Sequence, residues 1–457
     1  MKSKKAQRSI LLFTLLLVVA MLAGCAGAAT PAAAPAAPAA DSAAAPAVEA
    51  PAAEAPAAEA APAVADTCAE EIVLNHWYHQ YGEAGTFEAA ERYAAEYTAA
   101  TPCVTVKVNW VPGDYFASLN SALLTADGPD VFELQTVTQD RVSAGQLASL
   151  DDIFEGVLAE FDATAMQRVV IDGAIYGVPM IIDPQFVYYN KSMLADAGVE
   201  PPTTMDELIA ATVALDTGRV KGLYLSNDLG ATSYLMYMAT WAANSDFIDG
   251  DKVVFNTPDN LRMWQKKLEL VQTGSMLVGA TTEWWDPGAF IDGLTAMQWT
   301  GLWALPGVIE GLGVENVGVI PWPALDDTAT PSVFLGGWNQ SVNANSANVD
   351  ASKAYVKWLW IDNAEAQIDW NLSYGFHIPP RSTTAAQADA LKSGPAAEVL
   401  AMLPLYGKTT PNTWTGAMDS IYSDAHAQVL LNGADPAEQL QLAADAAQKE
   451  LDTLLGK

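Results

Sequence analysis

The stretch 72–110 (IVLNHWYHQYGEAGTFEAAERYAAEYTAATPCVTVKVNW) decides the fold. Its two ends, 72–77 and 104–110, are apolar extended runs, and between them 83–100 is an Ala- and Glu-rich helix candidate. A strand–helix–strand unit of this length makes its two strands parallel neighbours with their N-terminal ends together. Cys68 and Cys103 stand at those ends, within the reach a disulfide needs. No CxxC spacing offers the thiols to a metal instead, so a Cys68–Cys103 disulfide is expected.

Working outward, 113–126 is amphipathic, with Phe116, Leu119 and Leu123 at helical spacing, and Asp127-Gly128-Pro129 stops it. Residues 130–134 read as a third short buried strand. Alternating strand and helix predict an α/β layer architecture with mainly parallel sheets flanked by helices. Asp172-Gly173 between apolar runs signals a hairpin. A strand over 186–190 and a helix over 191–198, closed by Gly198, follow. Thr203 or Thr204 caps a further helix whose first turn holds Asp206 and Glu207. Later helices are expected over 258–273, 350–374 and 435–455, and a strand over 253–256. Asp249-Gly250-Asp251 is a turn, since it lacks the ligand spacing and closing Glu of a calcium loop. Tyr355, Trp358 and Leu359 have helical spacing and belong to a core.

The chain has 457 residues and a formal net charge of -32. A balance so acidic excludes a surface that condenses on nucleic acid or anionic lipid. The 14 Trp residues argue against disorder throughout. Lys2, Lys4, Lys5 and Arg8 precede an apolar run over 10–23, too short for the roughly 20 residues of a membrane-spanning helix. This is the pattern of a secretory signal, 1–24. Leu22-Ala23-Gly24-Cys25 is similar to the bacterial lipobox, and the resemblance implies cleavage before Cys25 and lipidation of its thiol. Residues 25–65 are nearly all Ala and Pro and form a tether outside the fold. Residues 1–65 carry four basic and four acidic side chains, so the -32 rests on the folded part.

Separated segments then carry a resemblance to the extracellular solute-binding proteins of family 1, the carbohydrate-type receptors of bacterial ABC importers. They are WVPGDYFASLN at 110–120, GPDVF at 128–132, YGVP at 176–179 and YYNK at 188–191. Gly198 with PPTT at 201–204, FNTP at 255–258, AMQWTGLW at 296–303, GGW at 336–338 and IPPR at 378–381 continue the series in the family's order. The resemblance implies a two-lobe periplasmic-binding-protein-like fold of type II. One lobe would comprise 66–184 and 338–378, the other 185–337 and 379–457, with crossings near 184–186, 336–338 and 378–381. It also implies an extracytoplasmic, lipid-anchored monomer that passes its ligand to the permease subunits of an importer.

A sugar presents a face of C–H bonds and a rim of hydroxyls, which suit Trp and Tyr faces and polar side chains respectively. Open α/β sheets bind ligands beyond the carboxyl ends of their strands. This places His76, Trp77 and His79 at the end of the first strand among the candidates, with Glu133 and Gln135 at the end of the third. The resemblance adds Asp183 at the first crossing, Trp303 in the Gly-Leu-Trp segment and Trp338 at the second crossing. Tyr234, Trp241, Trp284, Trp285 and Trp414 complete the set. His76 and His79 are no metal pair, because side chains three apart on a strand face opposite ways. No metal site, cofactor or catalytic arrangement is expected. Together these features predict a receptor for a neutral sugar or oligosaccharide. The competing functions are a polyamine receptor, a secreted glycoside hydrolase using Glu283 and Asp286, and a purely adhesive surface protein.

Overall fold

The computed structural model describes residues 68, 70–125, 128–231 and 234–457. The signal peptide, the tether, the lipidation site at Cys25 and part of the stop at 126–127 lie outside the described residues. Strand β1 (Ile72–His79) pairs in parallel with β2 (Val104–Val111), Ile72 opposite Val104 and His79 opposite Val111. The helix Thr86–Ala100 joins them and buries Ala89, Ala90, Tyr93, Ala94 and Tyr97, one face at helical spacing. Cys68 and Cys103 are disulfide-bonded at the strands' N-terminal ends, with Cα atoms 5.5 Å apart. Strand β3 (Val131–Leu134) lies on the other side of β1. With β4 (Val178–Pro179) and β9 (Asn339–Val342), the first sheet has the order β2-β1-β3-β9-β4.

The second sheet is built on β5 (Asp183–Asn190). Strands β6 (Met297–Gly301), β7 (Val317–Ile320) and β8 (Val333–Gly336) all run antiparallel to it, and β10 (Gly407–Lys408) runs parallel to β8. The two-lobed α/β architecture stands, but mainly parallel sheets do not. The chain leaves the first sheet through β4 into β5 and returns through β8 into β9. These passages lie side by side and run in opposite directions, so β8 meets β5 antiparallel, Leu335 opposite Pro184, and β9 meets β4 antiparallel. Gly337 sits on the return passage at φ 122°, and a Cβ there would collide with the Ile181 carbonyl oxygen.

Strand β5 is buried almost end to end because both its faces are covered. Phe186 and Tyr188 enter a core with Leu302, Leu305, Val308 and Val399. Val187, pointing the other way, joins a larger core with Phe247, Trp264, Trp299 and Trp322. A separate core under the first sheet gathers Leu74, Phe132, Tyr355, Leu359 and Trp370.

The local signals are realised as chemistry. Asp172 and Gly173 both take positive φ (51° and 84°) in a two-residue turn between Val170–Ile171 and Ala174–Ile175. Thr204, not Thr203, caps the helix Met205–Ala214 in a reciprocal capping box with Glu207. The helix expected over 350–374 is broken. It runs Val349–Lys357, widens into a π-helical turn over Trp358–Asp362, and restarts as Ala364–Leu372, capped by Asn363 accepting from the Ala366 N–H at 3.0 Å. Leu359, Trp360 and Ile361 are consecutive and all buried, which the widened turn permits and a regular helix face does not. The strand expected over 253–256 shrinks to Lys252–Val253, paired with Ile248–Asp249 across Gly250.

Candidate ligand-binding cleft

Where the ends of β1 and β3 face β5, β8 and the segments after β6, the chain encloses a cleft of about 420 Å³. The first sheet contributes His79 with the following residues to Glu83, and Gln135 just past β3. The passages between the sheets contribute Asp183, Gln185, Gly337 and Trp338. The second sheet's side adds Tyr234, Trp284, Trp285, Asp286, Trp303 and Phe334, and the segment before 378 adds Tyr374 and His377.

Of the residues singled out from sequence, His79, Gln135, Asp183, Tyr234, Trp303 and Trp338 are therefore in the wall, as are Trp284 and Trp285. His76, Trp77, Glu133, Trp241 and Trp414 are not. His76 points from β1 into the core, fully buried, its Nδ1 3.2 Å from the Tyr355 hydroxyl. Trp77 packs, half-buried, against the first core. Glu133 is fully buried behind the wall. One of its oxygens accepts the His79 backbone N–H at 2.9 Å and lies 2.8 Å from His79 Nδ1; the other accepts the Tyr81 hydroxyl at 2.8 Å. It fixes two wall residues without reaching the cavity. Trp241 and Trp414 are buried among the aromatics of the second sheet's larger core.

The aromatic faces are not equally available. Trp338 is stacked on His79 (3.8 Å, 17°) and parallel to Phe116 (5.8 Å, 12°), so protein rings already take up face area a sugar would need. Trp284 is stacked on Trp299 (4.3 Å, 15°). Trp285 is 41% exposed. Trp303 is half-buried and its indole N–H donates to the Trp285 carbonyl at 2.9 Å, which fixes the ring's orientation. Gly301 makes this pose possible, because a Cβ there would collide with the Trp303 ring.

His377 was not recognisable from sequence. It is 2% exposed, with Nδ1 2.6 Å from Asp183 and Nε2 3.7 Å from Glu83. Burial alone would depress its pKa, but the charges of Asp183 and Glu83 and the Asp183 hydrogen bond together hold it above the ordinary value. The backbone bridge between Ile182 and Ile378 sits beside this pair, so the imidazole ties the first crossing to the third. Glu83, Tyr81, Gln185 and Tyr374 were missed likewise. Only the position of His377 beside the IPPR segment could have pointed to it. The described wall contains no Lys or Arg. Among the described residues no group of three or more His, Cys, Asp or Glu side chains could hold a metal ion.

The family described as bacterial extracellular solute-binding protein matches residues 82–360. The diacetylchitobiose binding protein DasA of Streptomyces coelicolor is 30% identical over 318 residues, 64% of this chain and 69% of its own. The maltodextrin-binding protein MdxE of Bacillus subtilis is 23% identical over 349 residues, 70% of this chain and 79% of its own. Among solved structures, the GacH receptor of Streptomyces glaucescens, crystallised unliganded and with acarbose, superposes with a TM-score of 0.70 at 27% identity. The match covers 84% of this chain and 99% of that one.

Proposed function

This chain belongs to the bacterial extracellular solute-binding proteins, and from that premise we propose that its cleft takes up a sugar or short oligosaccharide for an ABC importer. The observation that carries the proposal is the pairing, in one enclosed wall, of Trp285 and Trp303 with the carboxylates of Glu83, Asp183 and Asp286. Indole faces cover sugar C–H surfaces and carboxylates take hydroxyl protons. A wall without Lys or Arg disfavours phosphorylated or otherwise anionic ligands. We take the two lobes as 66–184 with 338–378 and 185–337 with 379–457, closing over the ligand by bending near 184–186, 336–338 and 378–381. The mature chain is a monomer held to the membrane through lipid on Cys25, with 25–65 as tether. No helix among the described residues is long and apolar enough to cross a membrane.

The family and the similar proteins are binding proteins, and we assign no catalysis. Of the two carboxylates that flank Trp284 and Trp285, Asp286 lines the cleft and Glu283 does not, so they do not face a ligand as a pair. A melting-temperature screen of residues 66–457 against neutral sugars, amino sugars, polyamines and amino acids tests the proposal. Ligand at 100 times its dissociation constant adds about 2.7 kcal/mol of stability. A shift by polyamines alone overturns the sugar receptor, and cleavage of an oligosaccharide overturns the absence of catalysis.

A further inference from the structure

Resting on that function, we propose that the saccharide carries at least one protonated amine, which Glu83 and Asp286 receive. The reason is the negative charge of the wall, which no Lys or Arg in it offsets. Every hydroxyl there already donates into the protein: Tyr81 to Glu133 at 2.8 Å, Tyr234 to Gln135, and Tyr374 to Asp369 at 3.1 Å. The Trp303 N–H is likewise spent on the Trp285 carbonyl. His377 Nδ1 is engaged by Asp183 at 2.6 Å.

Acceptors are in surplus. Glu83 meets His377 only at 3.7 Å. Asp286 accepts one backbone N–H, from Gly288 at 2.7 Å, and keeps its other oxygen. Gly82 lies against the Trp285 ring, so the next residues along the chain, Glu83 and Asp286, enter the cleft from facing sides.

A plain sugar hydroxyl or an acetamido group brings no charge to offset Glu83 and Asp286 in a wall that has no Lys or Arg. An ammonium group brings three N–H donors and no lone pair. It also gains from the indole faces through cation–π attraction, and its bonds to carboxylates are charge-assisted.

The test is titration calorimetry of the full chain in detergent with three β-1,4 disaccharides: glucosamine with free amines, its di-N-acetyl form, and unsubstituted glucose. The free-amine form should bind at least about tenfold tighter than either other. In Glu83→Gln and in Asp286→Asn, each checked for a cooperative melt, that ratio should fall toward one. Equal or tighter binding of the acetylated or unsubstituted sugar overturns the inference and leaves the sugar receptor standing. Failure of all three while spermidine binds overturns both.

Discussion

His76 and His79 stand three residues apart on β1, one sealed against Tyr355 and the other in the cleft wall against Trp338. Strand alternation alone separates them, and this much was legible, as was the placing of aromatics at strand ends. What alternation does not reveal is how far along a strand the cleft begins, so His76, Trp77 and Glu133 were expected at a cavity they stop short of. Burial pushes the His76 pKa down to about 3, so between about pH 6.5 and 3 the unfolded chain binds a proton that the native chain does not. Stability therefore falls as pH drops through this window, by roughly 2 kcal/mol at pH 5 from this residue. His377 acts the other way, its contribution being full below the ordinary histidine value and lost as pH rises through its raised one. In His76→Gln, urea unfolding at pH 7 and pH 5 should differ by about 2 kcal/mol less than in the parent; an unchanged difference would assign the acid sensitivity elsewhere. At the ligand, Trp303→Ala should cut affinity by well over about tenfold while the melt stays cooperative. Calorimetric binding equal to the parent's would remove Trp303 from the contact surface.

Helix ends were the most legible elements because their signals are local. Thr257, Asp435 and Thr204 each accept an N–H in the first turn of the helix they precede. The sequence left Thr203 and Thr204 equivalent; geometry separates them, since the Thr204 hydroxyl accepts the Glu207 N–H while Thr203 donates its own N–H and hydroxyl to the Glu207 carboxylate. Thr204→Ala should cost about 1 kcal/mol, read as a lower urea midpoint at constant slope. A loss as large in Thr203→Ala and none in Thr204→Ala would reverse the assignment. The break between Lys357 and Ala364 was illegible for a different reason. Helical spacing over 355–359 is sound, and only packing against Phe132 and Trp370 in the same core requires Trp360 and Ile361 to be buried as well. The direction of strands in the second sheet was similarly hidden, because it depends on which passages lie side by side and not on any strand's own residues.

At the scale of the molecule, Tyr234 and Asn412 make hydrogen bonds that cross between the first sheet's side and the second's outside the three passages. Tyr234 donates to Gln135 within the cleft. Outside it, the Asn412 side-chain amide donates to the Val137 and Val170 carbonyls at 3.0 and 3.3 Å, and its backbone carbonyl accepts the Gln139 N–H at 3.0 Å. Asn412 lies between β10 and the helix Gly416–Asn432, whose Met418, Tyr422 and Val429 belong to the second sheet's larger core. Its partners sit just past β3 and on the 170–175 hairpin of the first. Under the proposed lobe motion, parting the lobes would give these groups to water, where they find other partners, so these bonds favour the arrangement in which the lobes meet without penalising the open one. A residue that touches no ligand can then alter affinity only through the population of the closed state. Losing two side-chain hydrogen bonds worth about 0.5–1.5 kcal/mol each should weaken binding in Asn412→Ala by about tenfold, expressed as faster ligand release. Stopped-flow dissociation and calorimetry on the same ligand decide it: an unchanged dissociation rate would mean that closure is held by the cleft residues and the ligand alone.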